Sequence, residues 1–351
     1  MLDGNQSIFR SKAPLRLGLA GGGTDVSPYC DIHGGAVLNA AITMYAYASL
    51  EPRSDGKTIF HSIDKGTRVE AISEEIINTD DPVYVLHNGV YNRIVREFAD
   101  APLSFQLSTY VDAHPGSGLG TSSTLVVAMV GAFVEWLKLP LGDYEIARLA
   151  YEIERIDLNM AGGKQDQYAA TFGGFNFMEF HNRDDKVVVN PLRIRAEYLY
   201  ELEFNTVLYQ TGTSRYSSKI IEDQSRNVIQ ENKDAIEAMH QLKEQAILMK
   251  EAILKGNLAE IGPLLDYGWS SKKRTSGSIS NATIDDIYDT AIKAGSTGGK
   301  ISGAGGGGYM MFYCPGNTRY KVIEALLRKF GGEFRRFQFA KHGLTSWQTV
   351  K

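Results

Sequence analysis

The stretch His114-Pro115-Gly116-Ser117-Gly118-Leu119-Gly120-Thr121-Ser122-Ser123 lies between two runs of different character. Before it, Leu103, Phe105, Leu107, Thr109 and Val111 alternate with polar residues up to Asp112, the period-two pattern of a half-buried strand. After it, Leu125 to Leu137 is an apolar run of helical length. The order is strand, glycine loop, hydroxyls, helix. Glycines let a backbone approach an anion, a helix start presents unpaired N–H groups, and Thr121, Ser122 and Ser123 add hydroxyl donors or a metal ligand. Residues 115–123 therefore read as a phosphate cradle. It is not a Walker loop, because Thr121 stands where that pattern requires lysine after the last glycine.

At 351 residues, with 43% hydrophobic and 22% charged residues, the chain has the make-up of an ordinary globular protein with two cores. A net charge of -4 argues against nucleic acid or an acidic membrane as a global partner. Cys30 and Cys314 have no metal-site spacing and do not form a disulfide framework. None of the seven histidines forms a close pair with metal-ligand spacing, which argues against a zinc site. The chain opens without a basic and apolar leader and carries no stretch of about 18 apolar residues. The expectation is a cytoplasmic protein without a membrane segment.

Pattern and punctuation predict strands at Leu15 to Leu19, Ala36 to Pro52 and Lys57 to Ser62, and helices at Val83 to Phe98 and Tyr144 to Asp157. A polar stretch before Pro191 marks a boundary, giving domains of residues 1–190 and 191–351. The second domain reads as a strand from Leu202 to Tyr209, helix from about Ser217 to Lys255, and a helix from Ile284 to Lys293 leading into a glycine loop. A strand Tyr309 to Tyr313, a helix Tyr320 to Phe330 and a strand Glu333 to Ala340 complete it. The fold class is α+β, with a split βαβ, ferredoxin-like second domain.

Two further clusters carry chemistry. Arg16 precedes the loop Gly21-Gly22-Gly23-Thr24-Asp25, where an aspartate can accept hydrogen bonds from vicinal sugar hydroxyls. Glu154 follows the phosphate loop and can hold magnesium with a loop hydroxyl, and Asp166, after Gly162-Gly163-Lys164-Gln165, can serve as a base. The run Lys300-Ile301-Ser302-Gly303-Ala304-Gly305-Gly306-Gly307-Gly308 contains G-x-G-x-x-G. It reads as leaving a helix and opening a strand, the wrong context for a dinucleotide fingerprint. Its glycines instead let the second domain's backbone lie against substrate or the first phosphate loop.

The three loops, in this order, resemble the motifs of the galactokinase, homoserine kinase, mevalonate kinase and phosphomevalonate kinase (GHMP) superfamily. The resemblance implies an N-terminal domain like ribosomal protein S5 domain 2 and a ferredoxin-like C-terminal domain, with ATP and substrate between them. By motif position it implies Asp166 as the catalytic aspartate, Arg16 as the cation near the reacting hydroxyl, and Asp25 with Thr24 as sugar ligands. Glu154 with Ser122 or Ser123 would hold Mg2+, and residues 115–123 ATP.

Leu17 to Tyr29 and Thr211-Gly212-Thr213-Ser214-Arg215-Tyr216-Ser217-Ser218 make the chain most similar, within the superfamily, to bacterial heptose 7-phosphate kinases. This implies transfer to the anomeric hydroxyl of D-glycero-D-manno-heptose 7-phosphate, with a small-molecule sugar phosphate as partner and a homo-oligomer left open. Gly23-Thr24-Asp25 replaces the His-Thr-Asp of galactokinases. Candidates for the substrate's own phosphate are Arg215, Lys272, Lys273 and Arg274. Lys164 is either another of these or a stabiliser of the transferred phosphoryl group, and Gly305 and Gly306 are placed against substrate. The rival readings are another sugar 1-kinase such as an L-fucose kinase, and a non-catalytic sensor of nucleotide and sugar.

Overall fold

The computed structural model describes residues 7–181, 186–212 and 217–350. Its first half contains β1 (Ser7–Ala20), α1 (Tyr29–His33), β2 (Gly35–Pro52), β3 (Lys57–Ser62), β4 (Thr67–Ile72) and α2 (Val85–Phe98). These are followed by β5 (Phe105–Val111), α3 (Thr121–Leu137), α4 (Asp143–Glu152), α5 (Gln165–Phe172), β6 (Phe175–Phe180) and β7 (Val187–Pro191). The second half runs α6 (Ala196–Asn205), β8 (Thr206–Gln210), α7 (Ser217–Ile229), α8 (Lys233–Lys255), α9 (Ile261–Thr275) and α10 (Ala282–Lys293). It ends with β9 (Gly298–Ile301), β10 (Tyr309–Tyr313), α11 (Thr318–Phe330), β11 (Glu333–Arg335) and β12 (Thr345–Val350).

The first sheet has the order β12-β1-β2-β5-β3-β4, with β6 and β7 added along the other end of the long strand β2. Helices α2, α3 and α4 cover one face, burying Phe60, Phe105, Tyr91 and Phe133 in a shared core. The second sheet has the order β11-β8-β10-β9 and is antiparallel throughout. Numbered within that domain the order is 4-1-3-2, the ferredoxin-like arrangement expected from the sequence. Strand β10 is buried on both faces, which explains its unbroken apolar run Tyr-Met-Met-Phe-Tyr. Tyr309 and Met311 pack toward Leu15, Leu17 and Leu38 of the first sheet, whereas Met310 and Phe312 pack with Ile284, Val322 and Leu326. The two sheets thus share a core, and the cleft above it is held by packing on both sides.

Several sequence expectations need correction. Leu202, Phe204, Thr206 and Leu208 alternate like a strand, yet Leu202 to Asn205 end helix α6, where Leu202 is buried in the core between the sheets. The glycine loop at 302–308 leaves strand β9 and not a helix. Gly298 and Gly299 disguise that strand because they lack side chains, and a Cβ on Gly298 would lie 1.9 Å from the Gly262 carbonyl of α9. Since the loop opens another strand, β10, the dinucleotide reading stays excluded. The expected strand Glu333 to Ala340 ends at Arg335, with only an isolated bridge from Phe339 to Ile42 beyond it. Strands β4, β6 and β12 were not anticipated. Although it follows residue 191, β12 pairs with β1, so the chain's last described residues return to the first sheet.

Candidate active site

Strand β1 carries a register shift between Pro14 and Arg16, and the Arg16 N–H donates to the Leu119 carbonyl at 3.1 Å. This joins the strand directly to the phosphate loop. Gly116, Gly118 and Gly120 all have φ near +77°, a conformation side chains resist. Gly120 is the N-cap of α3, and no side chain caps that end. The helix therefore starts at Thr121, earlier than the apolar run indicated, and puts Thr121, Ser122 and Ser123 in its first turn with unpaired backbone N–H groups.

The glycine loop at 302–308 closes on this one. The Ser302 hydroxyl donates to the Gly118 carbonyl at 2.9 Å and the Tyr309 N–H to the Ser117 carbonyl at 2.9 Å. A Cβ on Gly118 would stand 2.1 Å from the Ser302 carbonyl. The 302–308 loop thus packs on the first phosphate loop, and its Gly303 and Ala304 also line the cleft. A cleft of about 310 Å³ opens between the loops, walled by groups that include Arg16, Asp25, Ser122, Glu154, Asp166 and Lys272.

Asp166 lies in the first turn of α5, so a second helix start faces the cleft. Its Oδ1 accepts from Arg16 Nε at 2.8 Å and lies 2.7 Å from Arg16 Nη2, while Arg16 Nη1 donates to the Gly118 carbonyl at 2.5 Å. The Asp166 side chain is 23% exposed and that of Arg16 5%. The carboxylate is thus held by one buried cation yet remains open to an entering hydroxyl.

Asp25 is buried and accepts from the Gly23 N–H at 3.1 Å, the Gln165 N–H at 3.1 Å and Gln165 Nε2 at 2.9 Å. A Cβ on Gly163 would lie 1.9 Å from Asp25 Oδ2, so this approach requires glycine there. Thr24 does not reach the cleft. Its hydroxyl is engaged with the Gly21 and Ala36 carbonyls, pinning the turn that presents Asp25.

Glu154 sits in a π-helical turn, Ile153–Asp157, where an uninterrupted helix had been expected. The wider turn faces both Glu154 and Arg155 toward the cleft. Glu154 Oε1 accepts from Ser122 Oγ at 2.9 Å, and Oε2 accepts from Gln167 Nε2 at 2.5 Å, which also reaches Ser123 Oγ at 3.1 Å. A buried carboxylate beside serine hydroxyls, all oxygen donors, fits a hard divalent cation. Ser122 bonds the carboxylate directly, whereas Ser123 connects through Gln167.

Lys272 is buried, lines the cleft, and donates to the Gly22 carbonyl at 2.9 Å. Burial lowers its pKa to about 8, with Asp25 opposing the shift and Arg16 adding to it. The other proposed cations lie elsewhere. Lys273 extends over Trp269 toward Asp285, and Arg274 pairs with Asp234. The Lys164 ammonium lies 3.5 Å from Asp31, away from the cleft wall. Gly305 and Gly306 lie against Ile279, with the Gly306 N–H donating to its carbonyl at 2.8 Å. Of the phosphate loop, Pro115 is exposed, while Ser117 and Leu119 are buried beneath the cleft as support. Arg215 lies outside the described residues. Gln165 and Gln167, which hold Asp25 and Glu154, were missed as functional residues; their only signal was the polar run around Asp166.

Comparison with known proteins decides the family. Residues 85–174 match the GHMP kinases N terminal domain and residues 249–332 the GHMP kinases C terminal domain. The chain is 50% identical over 340 residues, 97% of its length and 99% of the relative's, to a D-glycero-alpha-D-manno-heptose 7-phosphate kinase of Campylobacter jejuni. This chain belongs to the GHMP kinase family. As a GHMP kinase it is a phosphotransferase with ATP as co-substrate, in the two-domain fold the sequence motifs implied. A crystal structure described as a D-glycero-D-manno-heptose 1-phosphate kinase from Bacteroides thetaiotaomicron superposes with a TM-score of 0.83 at 45% identity, covering 98% of this chain and 100% of that one. The L-fucokinase/L-fucose-1-P guanylyltransferase of Bacteroides fragilis is more distant, 28% identical over 87% of this GHMP kinase and 34% of its own length.

Proposed function

We propose that this GHMP kinase transfers the γ-phosphoryl group of ATP to the anomeric hydroxyl of D-glycero-D-manno-heptose 7-phosphate, giving the 1,7-bisphosphate. The observation that carries the reading is the Arg16–Asp166 pair at the mouth of a glycine loop, in a chain half identical to an enzyme of that name. In-line phosphoryl transfer asks little covalent chemistry of a protein and much positioning. The first turn of α3 and its glycine loop hold the triphosphate. Asp166 orients the sugar hydroxyl and accepts its proton, and Arg16 fixes that carboxylate and offers positive charge to the transferred group. Asp25, locked by Gln165, faces the sugar hydroxyls.

Glu154 and Ser122 would hold Mg2+, which would supply charge neutralisation to the phosphates. Lys272, the buried cation beside Asp25, supports a substrate that already carries phosphate. The two heptose relatives differ in name over whether that phosphate is on O1 or O7, and the 50% relative favours O7. The reading is tested by following ADP release with heptose 7-phosphate, heptose 1-phosphate, mannose 6-phosphate, L-fucose and no acceptor. Preference for heptose 7-phosphate supports it. Preference for L-fucose transfers the assignment to an unphosphorylated sugar, and silence with every acceptor favours a binding protein.

A further inference from the structure

Among the described residues four cations line the cleft, Arg16, Arg155, Lys272 and Lys300, and Arg155 is engaged, donating to the Gly163 carbonyl at 3.3 Å and lying 3.7 Å from Glu154. Lys300, on strand β9, is only 3% exposed and its side chain forms part of the cleft wall. No acceptor among the described residues bonds its ammonium group. Its neighbours are already satisfied: Arg16 is paired with Asp166, and Lys272 donates to a carbonyl and lies near Asp25. A buried ammonium without an acceptor is strongly disfavoured, so an unpartnered one facing a cavity points to an anion supplied from outside.

We propose that Lys300 is a phosphoryl-binding residue of the cleft, the third member of a cationic cluster with Arg16 and Lys272 that is completed only when a phosphorylated ligand enters. This rests on the reading that such ligands occupy the cleft. Arg16, Lys272 and Lys300 around one cavity offer donors to a phosphoryl group, which accepts several charge-assisted hydrogen bonds. The electrostatics agree. Burial first, then Lys272 and Arg16, hold the Lys300 pKa well below the ordinary lysine range. Asp25, Glu154 and Asp166 are the carboxylates in the same wall, and each already has donors of its own. An arriving dianion favours the charged amine, so binding draws a proton toward Lys300.

The phosphoryl group has two sources, the terminal phosphate of ATP and the phosphate borne by the sugar. The test uses wild type, K300M and K300Q, two neutral replacements of different shape, each checked for folding by thermal melting. Binding of a magnesium-loaded non-hydrolysable ATP analogue and of heptose 7-phosphate is measured by calorimetry, alongside kcat and KM. Each neutral variant loses about 10- to 100-fold in affinity for one of the two ligands, the loss expected for a charge-assisted hydrogen bond. A weaker ATP analogue with reduced kcat and unchanged sugar KM identifies the transferred group. A raised sugar KM with unchanged analogue binding identifies the sugar's phosphate. In either case the gap between wild type and variant narrows as pH rises and Lys300 itself loses its charge, which a purely structural role would not produce. Affinities and kcat within twofold of wild type, or a gap that does not change with pH, overturn the proposal. If wild type does not turn over heptose 7-phosphate while K300M weakens analogue binding, the substrate assignment fails and the Lys300 assignment stands.

Discussion

Asp166 is bound by Arg16 on one oxygen and open to the cleft on the other side, so its replacement separates chemistry from binding. D166N keeps the shape and removes the charge. Turnover should fall about 10²- to 10⁴-fold while the ATP analogue binds as in wild type, measured by steady-state rates and calorimetry. Glu154 predicts a different phenotype. E154Q should raise the Mg2+ concentration for half-maximal activity by about 10- to 100-fold, read from a magnesium titration at saturating ATP, with the loss partly recovered at high Mg2+. Lys272 makes the site depend on pH. With its pKa lowered to about 8, it carries charge below that pH and loses it as pH rises through it. Attraction for a phosphorylated sugar is therefore present at pH 7 and declines above 8. The KM for heptose 7-phosphate should climb between pH 7 and 9 more steeply than that for an unphosphorylated sugar.

At the scale of elements, the site is built from loops whose geometry depends on missing side chains. Gly163 admits the Asp25 carboxylate, where a Cβ would lie 1.9 Å from its oxygen. G163A must move Asp25 or the turn before α5, and a displacement of this size costs on the order of 100-fold in kcat/KM. Unchanged kinetics in G163A would mean that Asp25 does not position the substrate. The same loops explain what the sequence discloses. Arg16, Asp25, Ser122, Glu154 and Asp166 stand in recognisable motifs, and they do converge on one cleft. Lys164 and Lys273 sit equally near motifs in sequence, but their side chains point to Asp31 and Asp285, a direction that proximity along the chain does not encode. Strand β9 was invisible because its two glycines show neither period. The π turn at Glu154 was invisible because periodicity does not distinguish a wide turn from an α-helical one. Conversely Thr24, prominent in its motif, bonds the backbone of the turn through its hydroxyl and stands outside the cleft wall.

At the scale of the whole molecule, the two sheets are tied together by more than the cleft. Tyr309 and Met311 share a core with the first sheet, and β12 returns from the second half to pair with β1. Leu344, just before β12, packs on Gly131 of α3, where a Cβ would lie 2.6 Å from its Cδ1. L344A should therefore lower stability by about 1–3 kcal/mol in urea unfolding, with KM values unaffected. No helix among the described residues is long and apolar enough to cross a membrane. The molecule's function is concentrated in one cleft where two helix starts, an Arg–Asp pair and buried lysines meet. Phosphorus-31 NMR of the product formed from ATP and heptose 7-phosphate tests that account most directly. It predicts a new resonance from a phosphate on the anomeric oxygen, with the original phosphate retained, and its disappearance with D166N. A product phosphorylated at another oxygen, or equal product from D166N, would contradict it.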